Sequence, residues 1–454
     1  MGRGRFSRRS VLKALGTIAV SAGMPPALAQ SAATIGGNGF DAAVAAMKSG
    51  TWRKINRNRP HQIALARTKA NFDGGAHAGL PDTWPTDAAV AADGYSGGVG
   101  PATAVYAYSK HAFDPLTGRG FHMGGGHAAT HDCTIFRFDP GSGLWSIAHN
   151  SGRLYPVRGH PAPSWSHQIP SPDPGPSDYW VDVNAAGQKM PSATHTYGAC
   201  LWAEGSDHVY IGGTYGEITG SGQLGSCWAW DSVTNALGEH WYDPVGGRTN
   251  AGFAHKDGVG LQPVAYAPET GLLYRYAPSR VHRIGDPWNA PRESVLVTNP
   301  ALRDYCAYHA EMVSFVDDTV GGGAVSLFQH HRDKHPTVQW DYIRAVNRRP
   351  SIHQGTYARS DPASIFTKTD LAARGYCRSL AGNTVICWEG DRHLYEFQPA
   401  SPFSDTRIVR ITDRVAGDLP TANVNHAEYC RIERLPRHGA YICGAEGEVW
   451  VYKA

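Results

Sequence analysis

Short apolar runs separated by turns rich in glycine, proline and aspartate fill most of the chain. Ala112-Phe113-Asp114-Pro115 turns through Thr117-Gly118 into Gly120-Phe121-His122-Met123, stops at Gly124-Gly125-Gly126, and resumes at Phe136-Arg137-Phe138-Asp139-Pro140 with Trp145 beyond. Runs this short, bounded by turn residues and rich in aromatic and β-branched side chains, predict strands rather than helices.

The same plan returns along the chain. One copy spans His195 to Trp241, with Val209-Tyr210-Ile211-Gly212-Gly213 and Trp228-Ala229-Trp230-Asp231. Others carry Val264-Ala265-Tyr266 with Leu272-Leu273-Tyr274, and Met312-Val313-Ser314-Phe315 with Ala324-Val325-Ser326-Leu327 and Trp340-Asp341. The clearest pair joins Tyr376-Cys377-Arg378, Ile386-Cys387 and Glu389-Gly390 with Tyr429-Cys430-Arg431, Ile442-Cys443 and Glu446-Gly447. Six units spaced by roughly fifty to sixty residues predict a β-propeller of four-stranded blades. A seventh blade within residues 60–105 or in the insert is the alternative. The unit at residues 112–145 resembles a kelch repeat. The last unit shows three strands before the chain ends, and Gly50-Thr51-Trp52-Arg53-Lys54-Ile55 reads as the missing outer strand, so the two should pair and close the ring. Residues 157–191 hold Pro161, Pro163, Pro170, Pro172, Pro174 and Pro176, which predicts a long loop on one face, placed to lid a pocket.

Composition narrows the class. With 53 Gly, 30 Pro, 13 Trp and 21 Tyr, the 454-residue chain suits many tight turns and half-buried pleated faces. A net charge of +3 with 18% charged residues gives no electrostatic footprint for nucleic acid. Ser7-Arg8-Arg9-Ser10-Val11-Leu12-Lys13, the apolar Leu12 to Met24 and Ala27-Leu28-Ala29 follow the order of a twin-arginine signal, with residues 1–29 removed and 30–454 left as one domain. The mature chain is then expected in the periplasm or beyond, as a monomer without a membrane anchor. Eight cysteines in an oxidising compartment suggest disulfides, with Cys377–Cys387 and Cys430–Cys443 as hairpin pairs.

Inner strands of successive blades begin around one mouth of a propeller's channel, and chemistry should collect there. His195 and Tyr197, His255, His309 with Glu311, and His426 precede predicted inner strands, while His127 and His131 follow a second strand. Converging imidazoles suit proton transfer near neutral pH or a bound divalent metal. His330-His331 and His335 form another cluster, whose neighbours point to opposite faces on a strand and chelate poorly. No phosphate-binding glycine loop, G-x-S-x-G elbow or H-E-x-x-H helix is present, which leaves nucleotide, esterase and zincin chemistries without support.

In architecture and residue type the chain resembles the propeller-fold polysaccharide lyases, such as the ulvan lyases. That resemblance implies an anionic polysaccharide or oligosaccharide cleaved by β-elimination with a His/Tyr pair. His195, Tyr197 and His127 would supply the catalytic groups, with Arg280, Arg283 or Arg303 on the uronate carboxylate. Trp165, Tyr179, Trp180 and Tyr215 would stack on sugar faces, and His131, His255, His309 and His426 would line the subsite. Two other readings stand beside it. One is a non-catalytic binding ring for glycan or protein. The other is a copper oxidase resembling the galactose oxidase core, against which the lack of room for extra β-domains counts.

Overall fold

The computed structural model describes residues 38–60, 62–63, 111–123, 135–149, 169–170, 180–183, 189–190, 200–211, 214–216, 222–224, 228–236, 263–277, 280–285, 287–288, 292–298, 311–330, 340–355, 375–388, 390, 392–399, 407–412, 415–420, 431–445 and 447–454. The expected export signal lies outside them.

The fold is an all-β, six-bladed propeller. The blades open on inner strands Ala112–Phe113, Cys200–Trp202, Val264–Ala267, Met312–Val316, Gly375–Arg378 and Arg431–Leu435. Each inner strand contacts the next, and the sixth contacts the first, so the ring closes at six and no seventh blade intervenes. Blades one, three, four and five are four-stranded antiparallel meanders, and blade two shows three strands among the described residues.

The core is divided into six apolar layers, one between each pair of neighbouring blades. Alternation along a strand sends successive side chains into different layers. Leu201 packs toward blade three and Trp202 toward blade one, while Phe315 packs toward blade five and Met312 toward blade three. Both faces of a blade are therefore buried, which is why the strands read as continuous apolar runs.

The same alternation removes one expected disulfide. The register pairs Cys377 with Ile386 and Tyr376 with Cys387. Cys377 consequently lies in the layer between blades five and six, and Cys387 in the layer between four and five, with the sheet between them. Both are buried thiols, as are Cys200 and Cys443. Cys430 lies outside the described residues, and Cys443 sits opposite Ile432 as a thiol rather than in the expected bridge.

Closure follows the sequence reading. Thr51–Lys54 pairs antiparallel with Glu448–Lys453, Thr51 opposite Lys453 and Lys54 opposite Trp450. On its other side the two-residue strand Ala416–Gly417 runs parallel. Gly417 has φ +90, and a Cβ there would stand 2.4 Å from the Trp52 carbonyl oxygen, so only glycine fits the seam. Two asparagines then stitch blade six to blade one. Asn56 accepts from the Val449 amide at 2.9 Å, and Asn58 accepts from the Trp145 amide at 2.7 Å while donating to its carbonyl at 2.9 Å. A helix that the strand pattern did not anticipate, Asn38–Ala45, lays Phe40 and Val44 on the blade one–six layer. Those side chains share one helical face, and burying each contributes roughly 1.5–3 kcal/mol.

The insert is more structured than a plain loop. Its described residues form a three-stranded antiparallel sheet of Ile169–Pro170, Trp180–Val183 and Lys189–Met190. Pro170 stands on an edge strand of that sheet, the place where a strand tolerates proline.

Candidate functional site

The inner strands run in one sense, so the channel has two distinct ends. At the mouth face the inner strands begin, and at the hairpin face they turn into the second strands. Leu201, Val264, Ser314, Cys377, Arg431 and Glu433 are among the residues enclosing a channel cavity of about 50 Å³. That space is wide enough for water only, whereas small-molecule sites run roughly 300–1,000 Å³.

Ion pairs crossing between non-adjacent blades fill the hairpin end. Arg378 of blade five forks onto Glu269 of blade three, Nη1 to Oε1 at 2.6 Å and Nη2 to Oε2 at 3.0 Å. Its Nη2 also donates to Ser314 Oγ of blade four at 2.5 Å, and Ser314 in turn donates to the Tyr266 carbonyl at 2.5 Å. Arg434 of blade six reaches Glu204 of blade two, its Nη2 lying 2.7 Å from both carboxylate oxygens. Burial pushes the Glu269 carboxyl up, but the Arg378 bonds outweigh it and hold the group below its ordinary value. The outcome is a polar plug tying five of the six blades together.

Nearer the mouth, Glu311 of blade four accepts from the Tyr376 amide of blade five at 2.7 Å. Arg431 of blade six stands 3.7 Å from the other Glu311 oxygen, and its Nε, buried, has no hydrogen-bond partner among the described residues. Between this pair and the plug lies Glu433. Burial raises its pKa to about 7, against the opposing pull of Arg431 and of the Arg434 amide, so it exchanges a proton near neutrality. Cys377, facing the same interior, is held protonated by burial and by Glu433, and burial lifts Cys200 to about 12. These thiols are not nucleophiles.

The register also corrects the internal repeat. Cys377 pairs with Ile386, and Glu433 pairs with Ile442. Because Ile386-Cys387 corresponds to Ile442-Cys443, the structural counterpart of Tyr376-Cys377-Arg378 is Ile432-Glu433-Arg434 and not Tyr429-Cys430-Arg431. Arg378 and Arg434 then do the same job in neighbouring blades, each gripping a glutamate across the channel. The recurring Cys-Arg of the sequence is thus a coincidence three residues out of step, and the arginine alone repeats in the plug.

Of the predicted site residues, His127, His131, His195, Tyr197, His255, Arg303, His309, His426 and Trp165 lie outside the described residues, as do the side chains of Trp180 and Tyr215. Arg280 and Arg283 fall on the third strand of blade three, roughly 10 Å outward from the inner strand at ordinary strand spacing. Arg283 is exposed and its Nε donates to Ser294 at 3.4 Å. Among the described residues, the arginines at the channel are Arg378, Arg431 and Arg434. His111, just ahead of the first inner strand, accepts from the Gly447 amide of blade six at 3.0 Å and lies against Trp145. Burial, and then the neighbouring His122, hold its pKa well below the ordinary value, so it serves as a neutral acceptor between blades. Among the described residues no three His, Cys, Asp or Glu side chains gather as a metal site.

No protein-family profile matches the chain, and no curated protein is significantly similar to it in sequence. In shape it is similar to the extracellular domain of the one-component system BT4673 from B. thetaiotaomicron, at 9% identity and TM-score 0.34 over 77% of this chain, which spans only 39% of that protein's length. It is also similar to the β-propeller domain of Myceliophteria thermophila Cps50 (Swd1), at 10% identity and TM-score 0.34, covering 77% of this chain and 97% of that one. A third likeness is to the α-L-arabinofuranosidase Arb93A from Fusarium graminearum, at 10% identity and TM-score 0.37, covering 77% and 98%. None of the three bears on activity.

Proposed function

We propose that the chain is an exported, kelch-type carbohydrate-active enzyme, a polysaccharide lyase that cleaves a uronic-acid-containing glycan at the channel mouth. One observation carries this reading. The described ends that border the histidine-bearing segments, Met123, Ile135, Cys200, Val264, Met312 and Arg431, all lie at the mouth face, so each of those segments meets the same face of one ring at one end at least. A channel cavity of about 50 Å³ supports the same picture, since a sugar must lie across the mouth rather than within the bore.

In β-elimination a base takes the C5 proton, the C4–O bond breaks as the C4–C5 double bond forms, and an acid protonates the departing oxygen. His195, Tyr197 and His127 supply these groups and the hydrogen bond that neutralises the carboxylate. The test is absorbance near 235 nm, where the unsaturated uronide absorbs, as purified protein meets a panel of uronate polysaccharides with and without chelator. A rise supports the lyase. Silence across the panel overturns it and favours a non-catalytic binding ring, a reading supported by the cross-channel ion pairs, which stiffen the barrel as a scaffold requires.

A further inference from the structure

Away from the channel, where the closing strand leaves blade six, a groove of about 400 Å³ opens between the helix, residues 53–57 and the turn 140–143 of blade one. That is the size range of a small-molecule or oligosaccharide subsite, roughly 300–1,000 Å³. Its lining includes Arg53, Lys54, Arg57 and Ser142, and no acidic side chain among the described residues. Lys54 is held by Glu448, whereas the exposed guanidinium groups of Arg53 and Arg57 have no partner among the described residues. Gly39 and Phe40 bring the first helical turn to the same edge, where amide N–H groups lack intrahelical partners. The acids nearby are turned to other tasks. Asp41 stands 3.4 Å from His438, Asp139 accepts from the Gly141 and Ser142 amides, and Glu448 pairs with Lys54 and Arg59.

The walls are built and not incidental. Arg57 donates its amide to the Gly143 carbonyl at 2.7 Å, and Gly143 has φ +70. A Cβ there would stand 2.5 Å from the Ile55 carbonyl oxygen and 3.4 Å from Arg57 Cγ, so glycine is what lets the turn approach and leaves Arg57 its place along the groove.

We propose that this groove binds an oxyanion carried on a short anionic glycan, with Arg53 and Arg57 clamping a carboxylate or sulfate in the manner planar guanidinium groups favour. The choice of a glycan as carrier rests on the proposed function; the oxyanion site does not. As a second, non-catalytic foothold the groove would hold a polymer while the mouth acts on it, raising local substrate concentration.

The experiment is calorimetric titration of the full chain with trigalacturonate, with a sulfated trisaccharide and with inorganic sulfate, at about 0.15 M salt to screen loose surface attraction. Wild type and the Arg53→Gln/Arg57→Gln variant are compared, with thermal midpoints checked for unchanged folding. Saturable binding of either oligosaccharide, weakened about tenfold or more in the variant, supports the site. Absence of saturable binding, or equal affinity in the variant, overturns it. Binding of inorganic sulfate alone overturns the glycan as its carrier. Elimination activity of the wild type is read separately, and oligosaccharide binding without elimination sinks the lyase and leaves the groove standing.

Discussion

Glu204 and Arg434 belong to blades two and six, with the whole of blade one between them, yet Arg434 Nη2 lies 2.7 Å from both Glu204 oxygens. A contact that spans the channel makes each blade's position depend on one it does not touch. Glu204→Ala would leave a buried guanidinium unpaired and should lower unfolding free energy by about 2–4 kcal/mol in urea titrations, at the low end because Glu204 is partly exposed. Adding Arg434→Met to that variant should recover part of the loss. No recovery would mean that the pair is not coupled.

Glu433 sets a pH dependence of known sign. Its folded pKa of about 7 exceeds the unfolded 4.5, so the native state binds more protons between these values. The stabilisation is complete below pH 4.5 and is lost as pH rises through about 7. Glu433→Gln should remove that slope and gain about 1–3 kcal/mol at pH 8. His111 contributes the opposite limb: its depressed folded pKa gives stability present above 6.5 and lost as pH falls below it. Denaturation curves from pH 4 to 9 for both proteins separate the two, because only the acidic-to-neutral slope of Glu433 should vanish in the variant. Parallel curves would remove Glu433 as its source.

Ring closure rests on one short strand. Trp52 is buried at 2% exposure, packs beside Trp388 and Tyr452, and its Nε1 donates to the Arg392 carbonyl at 3.2 Å. Trp52→Ala should cost about 3–5 kcal/mol. Gly417→Ala, which adds one carbon against the Trp52 carbonyl, should cost about 1–3 kcal/mol from strain alone. Both are read as shifts in thermal midpoint against wild type.

Thiol chemistry checks the register. Cys377 and Cys387 lie on opposite faces of blade five, so peptide mapping of air-exposed native protein should yield no Cys377–Cys387 crosslink. Alkylating reagent should leave Cys200, Cys377, Cys387 and Cys443 unmodified until denaturant is added. Rapid labelling of the native fold would contradict their burial.

For the mouth, His195→Ala and Tyr197→Phe should each lower the elimination rate by about a hundredfold or more without moving the thermal midpoint. Unchanged rates would take those residues out of the mechanism.

Repeated apolar runs, turn glycines and an orphan strand at Thr51–Lys54 were enough to determine a propeller and its mode of closure, because blades are local meanders whose strands pair with their chain neighbours. The Cys-Arg recurrence did not mark the plug: Arg378–Val385 and Arg434–Tyr441 close hairpins of equal length, so the plug arginine of blade six follows Glu433, three residues beyond Cys430-Arg431, and only paired strands reveal such a shift. What local pattern could not decide is which side of a blade each residue faces and what it meets across the ring. The glutamates that Arg378 and Arg434 grip, and the carbonyl that Trp52 meets, lie more than a hundred residues away in sequence. The groove of Arg53 and Arg57 likewise draws its walls from the helix, the closing strand and a blade-one turn. Such contacts exist only once six blades have closed a circle, since the register of each sheet and the angle between blades, not the order of residues, bring them within reach.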